Sequence, residues 1–468
     1  MIPGAARSSR RSNRRTKSRV FPSRFAGRAR YVAFALAIVL LLPLLAWSKS
    51  VQSAEAAGLQ DSQLQDGQSI PPRNPVSDDF QGLILHWFQP WPTIPFHTFR
   101  LWDTGTRWAQ LNPSSGQFDW TMLDHWLTAA EQTGDDPLFT LGMTPQWASS
   151  RPNDRTCRYS PGECDPPNDL NADGSGTDQH WKDFVSALVS HVDGRIHYWE
   201  VWNEPQAANA WAGTYAQMVR MAQDARTIIQ SADPESKMLN GGVEMHNGIA
   251  MKWWAGYAAA GGLDHADILA IHGDVRTFPQ ECGVYPVAEN FIPLFAGLKA
   301  VLSQFHQAGK PIWDSEASWG ETNDDCFNNE DLQAAFLARF FLIQLSEQIQ
   351  RFYWRGWIDK SGGLYNPQTG LNKAGVAYRE IHGWLLGNTL TNACSAKGTI
   401  WTCDFTGPQG YKAQAVWDTS MTCESETCRT VEYPVDGAFR YYLTLAGQKE
   451  QITDGRVPIG AKPIWLEN

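Results

Sequence analysis

The sequence lacks the short motifs that announce cofactor chemistry. It holds no phosphate-binding P-loop, no His-Glu-x-x-His pair, no Gly-x-Ser-x-Gly elbow and no Gly-rich first turn of a dinucleotide fold. None of its eight cysteines stands in a Cys-x-x-Cys or Cys/His spacing, which argues against zinc. There is no tandem repeat. Residues 1–30 contain ten Lys/Arg and no acidic residue, and the uncharged apolar stretch 31–47 follows directly. That order is the order of a secretory signal. The segment "SAEAA" (53–57) offers a small-residue cleavage site after Ala56. The alternative is an uncleaved membrane anchor through 31–47, since 17 apolar residues lie at the lower edge of a spanning helix.

The whole chain of 468 residues carries a net charge of −10, and residues 1–56 carry +10, which leaves −20 on the remainder. The basic arm is therefore a targeting feature, and an acidic remainder argues against nucleic acid as a partner. All eight cysteines lie beyond this arm. An even count in an exported chain reads as disulfides. Proximity suggests Cys157/Cys164, Cys282/Cys326, Cys394/Cys403 and Cys423/Cys428. The expected location is extracytoplasmic, secreted or membrane-anchored.

Residues 57–78, rich in Ser, Gln, Asp and Pro, read as a linker. From about residue 80 short apolar runs alternate with helical patterns. The runs are "GLILHWF" (82–88), "FHTFRLW" (96–102), "PLFTLGM" (137–143), "IHYWEVW" (196–202), "KMLNGG" (237–242), "ILAIHG" (268–273), "KPIWDSE" (310–316) and "RFYWRGW" (351–357). Eight strands alternating with helices predict a (β/α)₈ barrel over 79–387. After 387 the texture changes to short alternating segments, which predict a small β domain of sandwich type over 388–468.

A barrel of this kind places its chemistry at the C-terminal ends of the strands. Glu204 ends strand 4 in "YWEVWNEP" and Glu316 ends strand 7 in "PIWDSEASW". Strands 4 and 7 stand on opposite sides of the ring, so the two carboxylates can face each other. Two facing carboxylates are what glycoside hydrolysis requires. If strand 4 stays regular, 200, 202 and 204 share one direction and Glu200 lies deeper, paired with a cation such as Arg100. Asp314 reads as a deeper structural group, and His86 and Asp103 near strand ends carry no assigned role.

"WNEP" together with a glutamate ending strand 7 resembles clan A of the glycoside hydrolases, most closely family 39 and its bacterial relatives. The resemblance covers about residues 80–468. It implies a retaining glycosidase without metal or other cofactor, acting on a carbohydrate. It implies Glu204 as acid/base, Glu316 as nucleophile and Asn203 as the residue at the sugar 2-hydroxyl. Arg100 resembles the clan's arginine beside the nucleophile, and His272 a position that hydrogen-bonds near it. An ordinary strand-end salt bridge and a core histidine are the plainer readings of these two. Trp354 or Trp357 on strand 8, and Trp147 after strand 3, are candidate platforms for sugar rings. Like charge from an ionised Glu316 is expected to raise the pKa of Glu204. A non-catalytic carbohydrate-binding barrel and a transglycosylase are the alternatives. Specificity is expected in the loops after strand 3 (about 145–177) and strand 6, which name no sugar.

Overall fold

The computed structural model describes residues 73–468 apart from 87, 89, 246–247, 276–283, 321–328, 360–361 and 425–426. Each of the eight apolar runs contributes one strand: β1 (Gln81–Ile84), β2 (Thr98–Leu101), β3 (Asp136–Leu141), β4 (Tyr198–Asn203), β5 (Lys237–Glu244), β6 (Leu269–His272), β7 (Ile312–Ala317) and β8 (Arg351–Arg355). They are joined in sequence order into a closed barrel, all neighbours parallel, with β8 pairing back to β1. Residues on each strand alternate between interior and helix layer. Along β3, Leu138 joins the interior cluster with Ile84, Leu239, Ala270, Trp313 and Tyr353. Phe139 and Leu141 point the other way into the large outer core.

Helices follow every strand from β2 onward. None is found between β1 and β2 among the described residues. Their start signals are local. Thr214 accepts from the backbone N–H of Gln217, while the Gln217 side chain accepts from Thr214 N–H, a reciprocal cap on Tyr215–Ala232. Asn329 and Asn372 cap Glu330–Ser346 and Lys373–Leu385 in the simpler way. The helix Gln179–Val192 buries Trp181, Phe184, Val185, Leu188, Val189 and Val192, the three-and-four spacing of one face.

The C-terminal part is an antiparallel sheet rather than two equal layers. Its order is Thr389–Leu390, Ile400–Thr406, Lys412–Asp418, Ile464–Glu467, Tyr441–Leu443, Lys449–Gln451, with Ser395–Lys397 paired on the side of Ile400–Thr406. Both faces are covered. Ala413, Ala415, Trp417 and Trp465 join the barrel's outer core. Val416, Ile464 and Leu466 pack with Val457 and Ile459 of a two-stranded ribbon, Thr430–Pro434 with Arg456–Gly460. Trp465 stacks on Trp384 at 5.8 Å. Trp417 Nε1 donates to Glu289 Oε1 at 2.8 Å, and the same oxygen accepts from Arg339 Nε at 2.8 Å.

Three expected cysteine pairs are disulfides: Cys157–Cys164, Cys394–Cys403 and Cys423–Cys428. Cys282 and Cys326 lie outside the described residues, as does the 31–47 segment. Among the described residues no helix is long and apolar enough to cross a membrane.

Trp465, with Trp417, joins the sheet to the barrel, so Trp465→Ala should leave a cavity between them. The expected loss is about 3–5 kcal/mol, read as a lower urea midpoint. An unchanged midpoint would show that the sheet does not stabilise the barrel.

Candidate active site

Two strands break their alternation just where the carboxylates stand. On β4, Glu200 and Asn203 both reach the barrel interior although they are three residues apart. Trp202 makes this possible by adopting φ = 76°. That turns its ring outward, where it is fully buried against Trp211 at 4.8 Å and donates from Nε1 to Ala210 O at 2.8 Å. Glu204 follows with φ = 47°. Positive φ at non-glycine residues costs about 1–3 kcal/mol each and persists only where surrounding contacts enforce it. The regular-strand expectation, with 200, 202 and 204 sharing one direction, is thus corrected.

On β7 the register against β8 shifts between Asp314 and Ala317. A shift of this kind re-aims side chains. Ser315 Oγ donates to Glu200 Oε1 at 2.6 Å, and the next residue, Glu316, also faces the interior. Asp314 points away. It accepts from Gly273 N–H at 2.9 Å and from Gln344 Nε2, and burial holds its carboxyl well above the ordinary range.

Arg100 on β2 gathers these groups. It is fully buried. Its Nε donates to Glu200 Oε2 at 2.7 Å, Nη1 to Glu316 Oε2 at 2.8 Å and Nη2 to Asn203 Oδ1 at 2.7 Å. Glu200 is completed by Thr140 Oγ1 at 2.7 Å as well as Ser315. All its acceptor directions are directed into the protein, which makes it a positioning group for Arg100.

Glu316 has a second cation. Arg355 Nη1 lies 3.1 Å from its Oε1. Burial alone would raise the Glu316 carboxyl, but Arg355, His272 and Arg100 outweigh it and bring its pKa down to about 2. Glu204 is also ionised. Burial works to raise it, but hydrogen bonding with His272 and the charge of Arg158 hold it well below its usual value. Arg158 Nη1 bonds Glu204 Oε2 directly, and His272 Nδ1 lies 3.3 Å from Glu204 Oε1. The expected rise in the Glu204 pKa is therefore not found. That expectation counted the like charge of Glu316 and missed the cation brought by the loop. Oxygens of Glu204 and Glu316 and a ring nitrogen of His272 all lie within 4.8 Å of one another. Three donors of this kind could hold a cation, but Arg100, Arg158 and Arg355 surround them, and their positive charge opposes one.

The structure thus brings together Arg100, Asn203, Glu204, His272 and Glu316. The tryptophans make their contacts elsewhere. Trp354 faces the helix layer, fully buried beside Phe336 at 6.2 Å, with Nε1 donating to Gly362 O. This corrects its reading as a platform, because a fully buried ring offers no face to a sugar. Trp357 stacks on Tyr365 at 4.8 Å and donates to Pro90 O. Trp147 is half-buried, donates to Asn112 O and meets the His180 ring edge-on at 5.1 Å. His86 pairs with Asp359 at 3.1 Å.

Arg355 and Arg158 are the site residues that sequence reasoning missed. Arg355 was recoverable, because β8 alternates: Tyr353 is interior, so Arg355 is too. Its register partner on β1, Ile84, is also the partner of Arg100. Arg158 gave no such signal. It lies 46 residues from Glu204 in a loop closed by Cys157–Cys164. Tyr159 anchors that loop, accepting from Trp102 Nε1 at 2.9 Å with the Arg107 guanidinium 3.9 Å over its ring.

No family model matches the chain. A curated β-xylosidase from Geobacillus stearothermophilus is 23% identical over 257 residues, 51% of this chain and 48% of the relative. The match thus spans about half the length of that relative. Among solved structures, a family 39 glycoside hydrolase from Bacteroides cellulosilyticus WH2 superposes with a TM-score of 0.60 at 18% identity, covering 84% of this chain and 81% of that one. A monomeric β-xylosidase from Caulobacter crescentus CB15 gives a TM-score of 0.60 at 16% identity, covering 85% and 97%. A family 30 endoxylanase from Clostridium papyrosolvens C71 gives 0.55 at 12%, covering 85% and 97%. These likenesses establish a shared fold.

Removing the shared guanidinium leaves Glu200 buried without a counter-charge and Glu316 with Arg355 as its one guanidinium partner. Arg100→Met should cost about 3–5 kcal/mol at neutral pH. The deficit should shrink on acidification. In the wild type, the low Glu316 pKa contributes stability above the unfolded value of 4.5, and this is lost as pH falls towards about 2. In the variant Glu316 takes up its proton at higher pH than in the wild type and the penalty falls. Urea unfolding at a series of pH values measures this; a deficit independent of pH contradicts it.

Proposed function

We propose that this protein is a retaining glycoside hydrolase, with Glu316 as nucleophile and Glu204 as acid/base. The observation that carries the reading is the approach of the two carboxylates, with oxygens within 4.8 Å across the barrel mouth. Retaining enzymes hold their carboxyl groups about 5–5.5 Å apart, whereas inverting enzymes need about 6.5–9.5 Å to seat a water.

In the first step a Glu316 oxygen attacks the anomeric carbon as the bond to the leaving oxygen breaks, and Glu204 delivers a proton to that oxygen. In the second step Glu204 takes a proton from water, which attacks the same carbon and releases Glu316. Arg100 and Arg355 keep the nucleophile ionised and fixed. Asn203 accepts from Arg100 through Oδ1, which leaves its amide N–H groups for a sugar hydroxyl. Glu204 must carry a proton at the start, yet Arg158 holds it ionised. Arg158 therefore has to leave Glu204 Oε2 when the leaving group binds there. An extracytoplasmic location accords with the three disulfides. The β-xylosidase relative makes β-xylosides the first substrates to try.

Glu204→Ala should lower kcat on substrates with poor leaving groups about 100- to 10,000-fold, with little loss on activated aryl glycosides. Azide added to Glu316→Ala should give a glycosyl azide of inverted configuration. A wild-type protein inactive on β-xylosides and a broad glycan panel would instead favour a carbohydrate-binding barrel.

Arg158→Ala gives a sharper test of the acid. Without the cation the Glu204 pKa rises, so the alkaline limb of kcat/KM should move to higher pH. No shift would show that Arg158 does not hold Glu204 in the free enzyme, and a shift to lower pH would contradict Glu204 as the acid.

A further inference from the structure

Arg158 is a cation that the proposed chemistry displaces, and its destination bears on the substrate. It stands on the open side of Glu204. Glu204 Oε1 faces His272, which is fully buried, whereas Oε2 bonds Arg158, whose side chain is 34% exposed. A leaving group therefore reaches Glu204 from the Arg158 side. The backbone of Arg158 is anchored. Its N–H donates to Asn209 O at 2.8 Å, and Cys157–Cys164 closes the loop beside it. Tyr159, the next residue, is held by Trp102 and Arg107. The guanidinium thus swings on a fixed Cα and stays beside the leaving group.

Once Glu204 carries the proton it must deliver, Arg158 has lost its partner. The acidic groups that act on Arg158 are Glu204, Tyr159 and Glu316. Tyr159 is a phenol that burial keeps protonated. Glu316 already pairs with Arg100 and Arg355. A neutral Glu204 therefore leaves a guanidinium without a counter-charge next to the leaving-group sugar. Its parallel N–H donors match the spacing of a carboxylate.

We infer that the leaving-group sugar of the natural substrate is a uronic acid, whose carboxylate takes Arg158 over from Glu204. The inference rests on the catalytic reading and adds the charge of the substrate to it. The exchange has two effects. One ion pair replaces another, so the displacement of Arg158 is offset. The cation that holds Glu204 ionised is also withdrawn, so Glu204 gains its proton when the acidic sugar is in place. A neutral sugar has to break the Arg158–Glu204 pair without replacing it.

The first arm of the test compares kcat/KM on β-xylosyl-(1→4)-glucuronic acid and on its uncharged methyl ester, with 4-nitrophenyl β-xyloside as the control for catalysis. The acid should be cleaved about 10- to 100-fold better than the ester. With the acid, the alkaline limb of kcat should also lie at higher pH. Arg158→Ala should bring the two substrates together, and Arg158→Lys should keep part of the difference. Arg155→Ala, which removes an exposed arginine of the same segment, should keep all of it. Equal or poorer cleavage of the acid by the wild type would overturn the inference. So would a preference that survives Arg158→Ala, or one that Arg155→Ala abolishes.

The second arm needs no turnover. Glu204→Gln copies the protonated acid and releases Arg158. In calorimetric titrations it should bind methyl β-glucuronoside about tenfold or more tighter than the wild type does, with no gain for methyl β-glucoside. Adding Arg158→Ala should remove the gain. An uncleaved 4-nitrophenyl β-xyloside would count against the catalytic reading on xylosides alone. No gain in Glu204→Gln, or a gain that persists without Arg158, would overturn the uronic acid.

Discussion

The Arg100 guanidinium is the constraint on which the barrel mouth depends. A fully buried cation is tolerable only when its charge and its donors are satisfied. Here two strands supply three partners: Glu200 and Asn203 from β4 and Glu316 from β7, each within 2.8 Å of Arg100. Thr140 and Ser315 then fix Glu200. The ion pairs thus cross the barrel and set the distance between β4 and β7. A carboxylate at that distance from a second one would ordinarily take up a proton. Arg100 with Arg355 on one side and Arg158 with His272 on the other keep both ionised.

This arrangement requires the strands to be irregular. A strict period of two cannot place Glu200, Asn203 and Ser315, Glu316 all on the interior face. The positive φ of Trp202 and the register shift after Asp314 supply the extra half-turns. Trp202 tolerates the strain because its ring is locked between Trp211 and the Ala210 carbonyl, and Gly142 has no Cβ to meet it. Strain at the site is thereby held by packing outside it.

These irregularities also mark where sequence reading stops. The eight strands and their order are legible because apolar runs, turns and helical stripes repeat with the right periods. The strand-end positions of Glu204 and Glu316 follow from that order. Trp202 looks like an interior residue on alternation alone, and only its neighbours Trp211 and Gly142 decide otherwise. Trp354 and Arg355 show the opposite case: alternation counted from Tyr353 sends the tryptophan out and the arginine in. The helix Gly248–Ala259 is hidden because Trp, Tyr and Ala surround it without a polar face. Arg158 depends on the path of a disulfide-closed loop, which no local period encodes.

The central claim is that Glu316, held by Arg100 and Arg355, forms a bond to the sugar. Intact-mass analysis with peptide mapping after incubation with a 2-deoxy-2-fluoro xyloside tests it directly. The fluorine slows both steps and a good leaving group restores the first, so a covalent adduct should accumulate on Glu316. An adduct on another residue would contradict the account. Turnover that yields product of inverted configuration with no adduct would contradict it equally.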